Sequence, residues 1–436
     1  MDWFFNLRLT EGALYWVSLA LGLAGAVYLL SPPSRIRARR WIFRTIAAAA
    51  VAFALVATVH WALINVFSVF PDNIPDPVLL WVVTGVAAVI LFLLRLPRST
   101  WRQRATGVAG VLLVVALASV QVNAYYGLNR TVSDLFGTAV ARIPTLEPDL
   151  MRQSGEDDAV PLLGWAPQGE LPDGGVLRKS AIPGTLSGMN TRDAYIYLPP
   201  AYFSQNRPAL PVLVLVAGQP GGPADWVTGG TLQDHMDSFA RSHGGVAPVV
   251  VVPDPNGSQS ANTMCMDSRI AKADTYLSRD VPEWISATLS VDVNHSHWAI
   301  GGFSFGGTCA LQMGTRHPGL YPSVLSFSGE AEPAIAKERQ KTIDAAFPGE
   351  PDAFERQTPL AIMKERRFES SGVYLTAGQD DHEFLAYLHT LAAAAREAGF
   401  TVRAHEVENT GHSWDTSSKR IADALQFLAD RWGLQQ

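Results

Sequence analysis

Gly301-Gly302-Phe303-Ser304-Phe305-Gly306-Gly307 is the stretch on which the reading of this chain turns. It follows a short apolar run, Trp298-Ala299-Ile300, and precedes a helix-like segment, Thr308-Cys309-Ala310-Leu311-Gln312-Met313. A chain that passes from strand to helix through Gly-x-Ser-x-Gly turns too sharply for side chains at the flanking glycines. The serine between them is left in a strained conformation with its hydroxyl presented. Ser304 is therefore the candidate nucleophile.

A serine hydroxyl attacks poorly until a base takes its proton, and the base needs an acid to orient it. Downstream, Ala377-Gly378-Gln379-Asp380-Asp381 follows the strand pattern Val373-Tyr374-Leu375-Thr376 and supplies the acid. A Gly-x-x-Asp turn favours Asp381, with Asp380 its rival. Asn409-Thr410-Gly411-His412-Ser413-Trp414 follows a strand around Thr401–Glu406 and supplies the base, His412. Of the ten histidines, His317, His382, His389 and His405 sit in helices or strands and read as surface or packing residues. An oxyanion needs two backbone N–H donors. Phe305, directly after the nucleophile, is one candidate. Gln219, in the Gly-rich turn Val216-Ala217-Gly218-Gln219-Pro220-Gly221-Gly222, is the other, because Pro220 has no N–H to give. The bland reading of that turn is an ordinary strand-to-helix connection.

Around these motifs short apolar runs alternate with helical segments. Strands are expected at 194–198, 212–216, 249–252, 298–300, 323–327, 372–376 and 401–405, and helices at about 231–243, 274–289, 305–316, 382–398 and 417–431. Several strands are apolar throughout, as strands buried on both faces must be. The alternation implies a mostly parallel sheet covered on both sides, an α/β fold. No metal or organic cofactor is needed by a Ser-Asp-His centre.

The first 125 residues differ. Apolar stretches at about 12–30, 42–70, 78–94 and 105–122 are each near the roughly 17–25 residues that cross a bilayer. Arg35, Arg37, Arg39, Arg40 and Arg44 lie between the first and second; Arg95, Arg98, Arg102 and Arg104 lie between the third and fourth. The loop from Pro71 to Pro77 has no basic residue. The positive-inside rule puts both Arg loops in the cytoplasm and everything after residue 125 outside. Trp3, Trp16, Trp41, Trp61, Trp81 and Trp101 mostly fall near the ends of the stretches, as interfacial anchors do. Buried helices of a soluble bundle are the alternative, and the Arg-only flanks argue against it. The expected organisation is a four-helix transmembrane region at 1–125, a juxtamembrane linker at 126–174 and an α/β domain at 175–436. Within the linker, 132–143 has helical periodicity and 149–158 is polar and expected to be mobile. His60 and Asn65 lie in the second span, as a polar site or as residues satisfied near its outer end. The net charge of -6 hides an Arg-rich N-terminal part and an acidic C-terminal part, and speaks against nucleic acid as a partner. Two cysteines, Cys265 and Cys309, leave two readings open in an oxidising compartment, one disulfide or two buried thiols.

Gly302-Phe303-Ser304-Phe305-Gly306-Gly307, the Gly378–Asp381 loop and Gly411-His412-Ser413-Trp414 together resemble the putative-esterase family of α/β-hydrolases. That family includes esterase D (S-formylglutathione hydrolase), feruloyl-type esterases and the secreted mycolyltransferases. The His-Ser-Trp segment is especially similar to the mycolyltransferases, and Gly218-Gln219 matches the place of the family's oxyanion loop. The resemblance covers about residues 175–432. Pro220 and the four preceding spans depart from the secreted mycolyltransferases. Spans followed by an outward esterase domain resemble membrane-bound actinobacterial members. The resemblance implies an α/β-hydrolase acting on an ester, with a lipid or glycolipid as the expected substrate at the membrane. The competing expectation is a catalytically idle hydrolase-fold module attached to a bundle that works in assembly or lipid binding.

Overall fold

The computed structural model describes residues 2–33, 36–152 and 160–434. The chain divides into two compact units, residues 1–138 with 336–338 and residues 139–335 with 339–436.

In the first unit four helices, Gly12–Leu30, Ala38–Asn65, Asp76–Arg95 and Trp101–Tyr126, are long and apolar enough to cross a membrane. They turn large apolar side chains outward: Val27, Phe43, Ile46, Phe53, Leu80 and Leu112 are all exposed. A helix that is apolar on its outer face has the character of one that packs against lipid or against other protein. Small residues set the close approaches. A Cβ on Gly25 would fall 2.8 Å from the carbonyl oxygen of Gly110, so the first and fourth helices pack backbone to backbone there. Arg95 ends the third helix, and its Nη1 donates to the carbonyls of Tyr28, Leu29 and Ser31. These are unsatisfied acceptors at the end of the first helix, where a cation is favoured. His60 accepts the N–H of Ile74, and Asn65 donates back to Trp61. Both residues are thus satisfied locally.

Among the described residues, the second unit is built on eight strands: β1 (Val176–Ser180), β2 (Ala194–Leu198), β3 (Val212–Val216), β4 (Val249–Val252), β5 (Trp298–Phe303), β6 (Ser323–Phe327), β7 (Gly372–Gly378) and β8 (Thr401–Val407). Their order is β1-β2-β4-β3-β5-β6-β7-β8. β1 and β2 run antiparallel, and every pair from β3–β4 to β7–β8 is parallel. This is the α/β-hydrolase fold. The five residues of β3 and the four of β4 are all buried, because helices cover both faces. β3 sits beside β5 with Val216 opposite Gly302. The chain segments that leave β3, β5, β7 and β8 therefore emerge at one end of the sheet, where parallel sheets place their sites.

Several expectations need adjustment. β1 was not anticipated; it is an edge strand of intermediate burial. Short helices at Arg339–Ala346, Pro351–Glu355 and Pro359–Glu365 lie between β6 and β7. The helix expected at 274–289 contains a π-helical turn, Tyr276–Asp280. The final helix is two, Trp414–Ser418 and Ile421–Trp432. The periodic stretch at 132–143 forms two short turns, Val132–Leu135 and Thr138–Ala141, separated by Gly137 in the left-handed region. Much of the expected linker packs on the sheet domain. Thr145 bridges to Lys179, Leu146 is buried in the core, and Leu150 accepts the Tyr202 hydroxyl. Most of the stretch expected to be mobile, 153–158, lies outside the described residues.

Candidate active site

Ser304 stands at the turn from β5 into the Phe305–Arg316 helix with φ 57° and ψ -121°. A non-glycine residue holds such a conformation only when its surroundings over-determine it. Here they do. The Ser304 N–H donates to Phe327 at the end of β6, and the Ser304 carbonyl accepts from Gly307 and Thr308. The flanking glycines are sterically required. A Cβ on Gly302 would lie 2.2 Å from the Gly306 carbonyl carbon, and one on Gly306 would lie 2.0 Å from the Val216 oxygen. Phe305 through Thr315 are buried, so the helix that follows the serine is fixed in the core.

His412 follows β8. Its Nε2 is 2.8 Å from Ser304 Oγ, and its Nδ1 is 2.8 Å from Asp381 Oδ2. Asp381 directly precedes the His382–Glu397 helix, and its own N–H donates to Gly378. Asp380 is exposed and its N–H donates to Thr410. Of the two aspartates, Asp381 is the one brought to the histidine. The acid and histidine loops touch closely: a Cβ on Gly378 would meet the Thr410 oxygen at 2.3 Å.

Aromatic side chains hold the imidazole. The Phe303 and Phe384 ring centres are 5.3 and 4.1 Å from that of His412. Trp414 packs on Phe303 and meets Trp226 edge-on. The indole N–H of Trp226 donates to Val216 at the end of β3. The histidine loop is thereby fastened to the strand from which the Gln219 loop springs.

That loop lies beside the serine, since a Cβ on Gly218 would sit 3.6 Å from Ser304 Cβ. Phe305 is the first residue of its helix, so its N–H has no intrahelical acceptor. The Gln219 side chain donates to Ser260, so the group it has left to offer beside the serine is its main-chain N–H. Asp225 accepts the Gly222 N–H, and burial pushes its carboxyl up to about 6 against the opposing influence of that hydrogen bond and of Arg192. Thr308, one turn beyond the serine, donates to buried Glu330 and accepts the Glu330 N–H. This ties the loop after β6 to the helix.

Cys265 and Cys309 form a disulfide, with Cα atoms 5.4 Å apart. It joins the loop after β4 to the serine helix. Phe384, Arg192, Asp225 and Glu330 had no signal in the sequence; each is an ordinary residue type in an ordinary segment until the fold brings it to the site.

Residues 189–428 match the family described as Putative esterase. The chain belongs to the putative-esterase family. It is a serine ester hydrolase or acyltransferase. A protein of Corynebacterium glutamicum described as uncharacterised is 32% identical over 400 residues, with 89% of each chain covered. That coverage exceeds the sheet domain and takes in helical N-terminal sequence as well. Among solved structures, a ferulic acid esterase superposes with a TM-score of 0.51 at 19% identity, covering 60% of this chain and 99% of its own. An S-formylglutathione hydrolase from Agrobacterium tumefaciens gives a TM-score of 0.49 at 17% identity, over 61% and 98%. The likeness to the ferulic acid esterase concerns the fold.

Proposed function

We propose that this protein is a membrane-anchored serine esterase or acyltransferase that acts on the acyl ester of a lipid or glycolipid at the outer face of the cytoplasmic membrane. The observation that carries the reading is the pair of 2.8 Å contacts joining Asp381, His412 and Ser304. His412 takes the Ser304 proton as the oxygen attacks the ester carbonyl, and Asp381 orients and stabilises the imidazolium. The N–H groups of Phe305 and Gln219 receive the oxyanion. Collapse expels the alcohol, which His412 protonates, and leaves an acyl-Ser304 ester. Water, or a sugar or lipid hydroxyl, then attacks under the same base and frees the serine.

The arginine distribution supports an outward domain. The Cys265–Cys309 bridge supports the same side, since disulfides persist in oxidising compartments. Four apolar helices favour an ester that resides in the membrane. The test uses the full chain in detergent micelles. Ser304→Ala should abolish turnover of p-nitrophenyl butyrate; turnover equal to the parent protein would refute the assignment. Lipid and glycolipid profiling of cells that carry Ser304→Ala should show one acyl ester accumulating or missing, and an unchanged profile would count against the lipid substrate.

A further inference from the structure

The loop from Ala217 to Gly222 has few internal hydrogen bonds, and its anchors come from elsewhere. The Gly221 N–H donates to Gln259 at 2.9 Å, and the Gln219 amide donates to Ser260 at 3.0 Å. The Gly221 carbonyl accepts from Arg192 Nη2 at 3.0 Å. Arg192 precedes β2 and also holds the loop that supplies Gln259 and Ser260. Its Nε is 2.7 Å from Asp254 Oδ2, and its Nη2 is 2.9 Å from Asp254 Oδ1 and 3.2 Å from the Ser258 carbonyl. Asp254 is a fixed post. Its residue is 1% exposed, and its carboxylate also accepts the N–H groups of Arg192 and Asn256. The guanidinium packs against the loop backbone, because a Cβ on Gly222 would fall 2.6 Å from Nη1.

We infer that Arg192 is the positioning residue of the oxyanion loop, clamping Gly221 to the Asp254–Ser260 loop so that the Gln219 N–H faces the site. The inference rests on the proposed role of Gln219 in the acyl transfer at Ser304. A planar fork can reach Gly221, Ser258 and both oxygens of Asp254 together. A lysine, with one compact ammonium, cannot. The clamp acts on a donor that matters when charge develops on the substrate oxygen, so its loss lowers turnover more than ground-state binding.

The experiment compares the full-length parent, Arg192→Met, Arg192→Lys, the exposed-neighbour control Asp193→Asn, and Ser304→Ala. Each is assayed for p-nitrophenyl butyrate turnover, for inhibition by a boronic acid that mimics the tetrahedral intermediate, and for its thermal midpoint. Arg192→Met should lower kcat on the order of 100-fold, the scale of losing one oxyanion donor, with KM within about threefold and boronate affinity falling alongside kcat. Arg192→Lys should restore only part of the loss, and Asp193→Asn should match the parent. A folded Arg192→Met protein with parental kcat overturns the inference. If Arg192→Met does not fold, Arg192→Lys decides: a drop of about tenfold or more in kcat at a parental midpoint supports the clamp, and parental kcat overturns it. Absence of Ser304-dependent turnover in the parent would instead overturn the enzymatic reading beneath it.

Discussion

The Nε2 atom of His412 lies 2.8 Å from the Ser304 hydroxyl, across 108 residues of chain. Asp381, and not Asp380, meets the other ring nitrogen, Nδ1. On the proposed mechanism, Asp381→Asn leaves the geometry but removes the charge that would stabilise the imidazolium and fix its tautomer. Its kcat should fall by roughly a thousand- to ten-thousand-fold. Asp380→Asn, at an exposed position, should stay within about threefold, as surface substitutions away from a network do. Steady-state hydrolysis of p-nitrophenyl butyrate by the two variants checks the assignment.

The elbow predicts a stability effect of its own. Gly306→Ala would place a methyl carbon 2.0 Å from the backbone oxygen of Val216. A backbone oxygen inside a parallel sheet cannot rotate away. The variant should lose at least about 2 kcal/mol, more than a surface Gly→Ala change. Gly319→Ala, where nothing lies within 4 Å of the added carbon, is the control. Thermal unfolding of both variants measures the difference.

The Cys265–Cys309 bridge closes a loop of 44 residues. Chain-entropy bookkeeping assigns such a loop about 4 kcal/mol of stabilisation. The double variant Cys265→Ser/Cys309→Ser should lower the urea midpoint accordingly. A reductant should shift the parent protein toward the same midpoint and leave the double variant where it is. An identical midpoint for parent and double variant would show that the bridge contributes nothing.

Asp225 gives a pH signature. Its folded carboxyl is raised to about 6 from 3.8, chiefly by burial. The folded state therefore holds this proton more tightly than the unfolded chain does. The stability this contributes is complete below the unfolded value and is lost as pH rises through about 6. Asp225→Asn keeps an acceptor for Gly222 but does not titrate. The midpoint difference, variant minus parent, should grow between about pH 4 and 7 and then level off. Differential scanning fluorimetry across that range checks it, and a flat difference would contradict the raised value.

Much of this architecture is legible before any coordinates. Ser304, Asp381 and His412 lie in short motifs, each following a strand pattern in the chain. β3 and β4 read as uninterrupted apolar runs because both faces are buried. β1 escaped because an edge strand of half-buried Val-Leu-Arg-Lys-Ser has no such run. The helices from Arg339 to Glu365 are short and polar enough to resemble loop. The segment around Leu146 looked like linker because one buried leucine and a single bridge to Lys179 leave no periodic trace. Arg192 is the clearest case of what local pattern omits. It meets Asp254, 62 residues away, and Gly221, 29 away, and an isolated arginine before a strand reads as a solvated charge. Contacts that join three distant segments exist only once the sheet has ordered them.

The central claim is that Ser304 is the nucleophile that carries the acyl group. The direct measurement is labelling of the full-length protein with a fluorophosphonate, followed by mass spectrometry of the peptide that contains Ser304. The account predicts a single phosphonyl adduct on Ser304 in the parent protein, lost in Ser304→Ala and strongly slowed in His412→Ala. A folded parent protein that takes no label at Ser304, or one that labels equally well without His412, would contradict it.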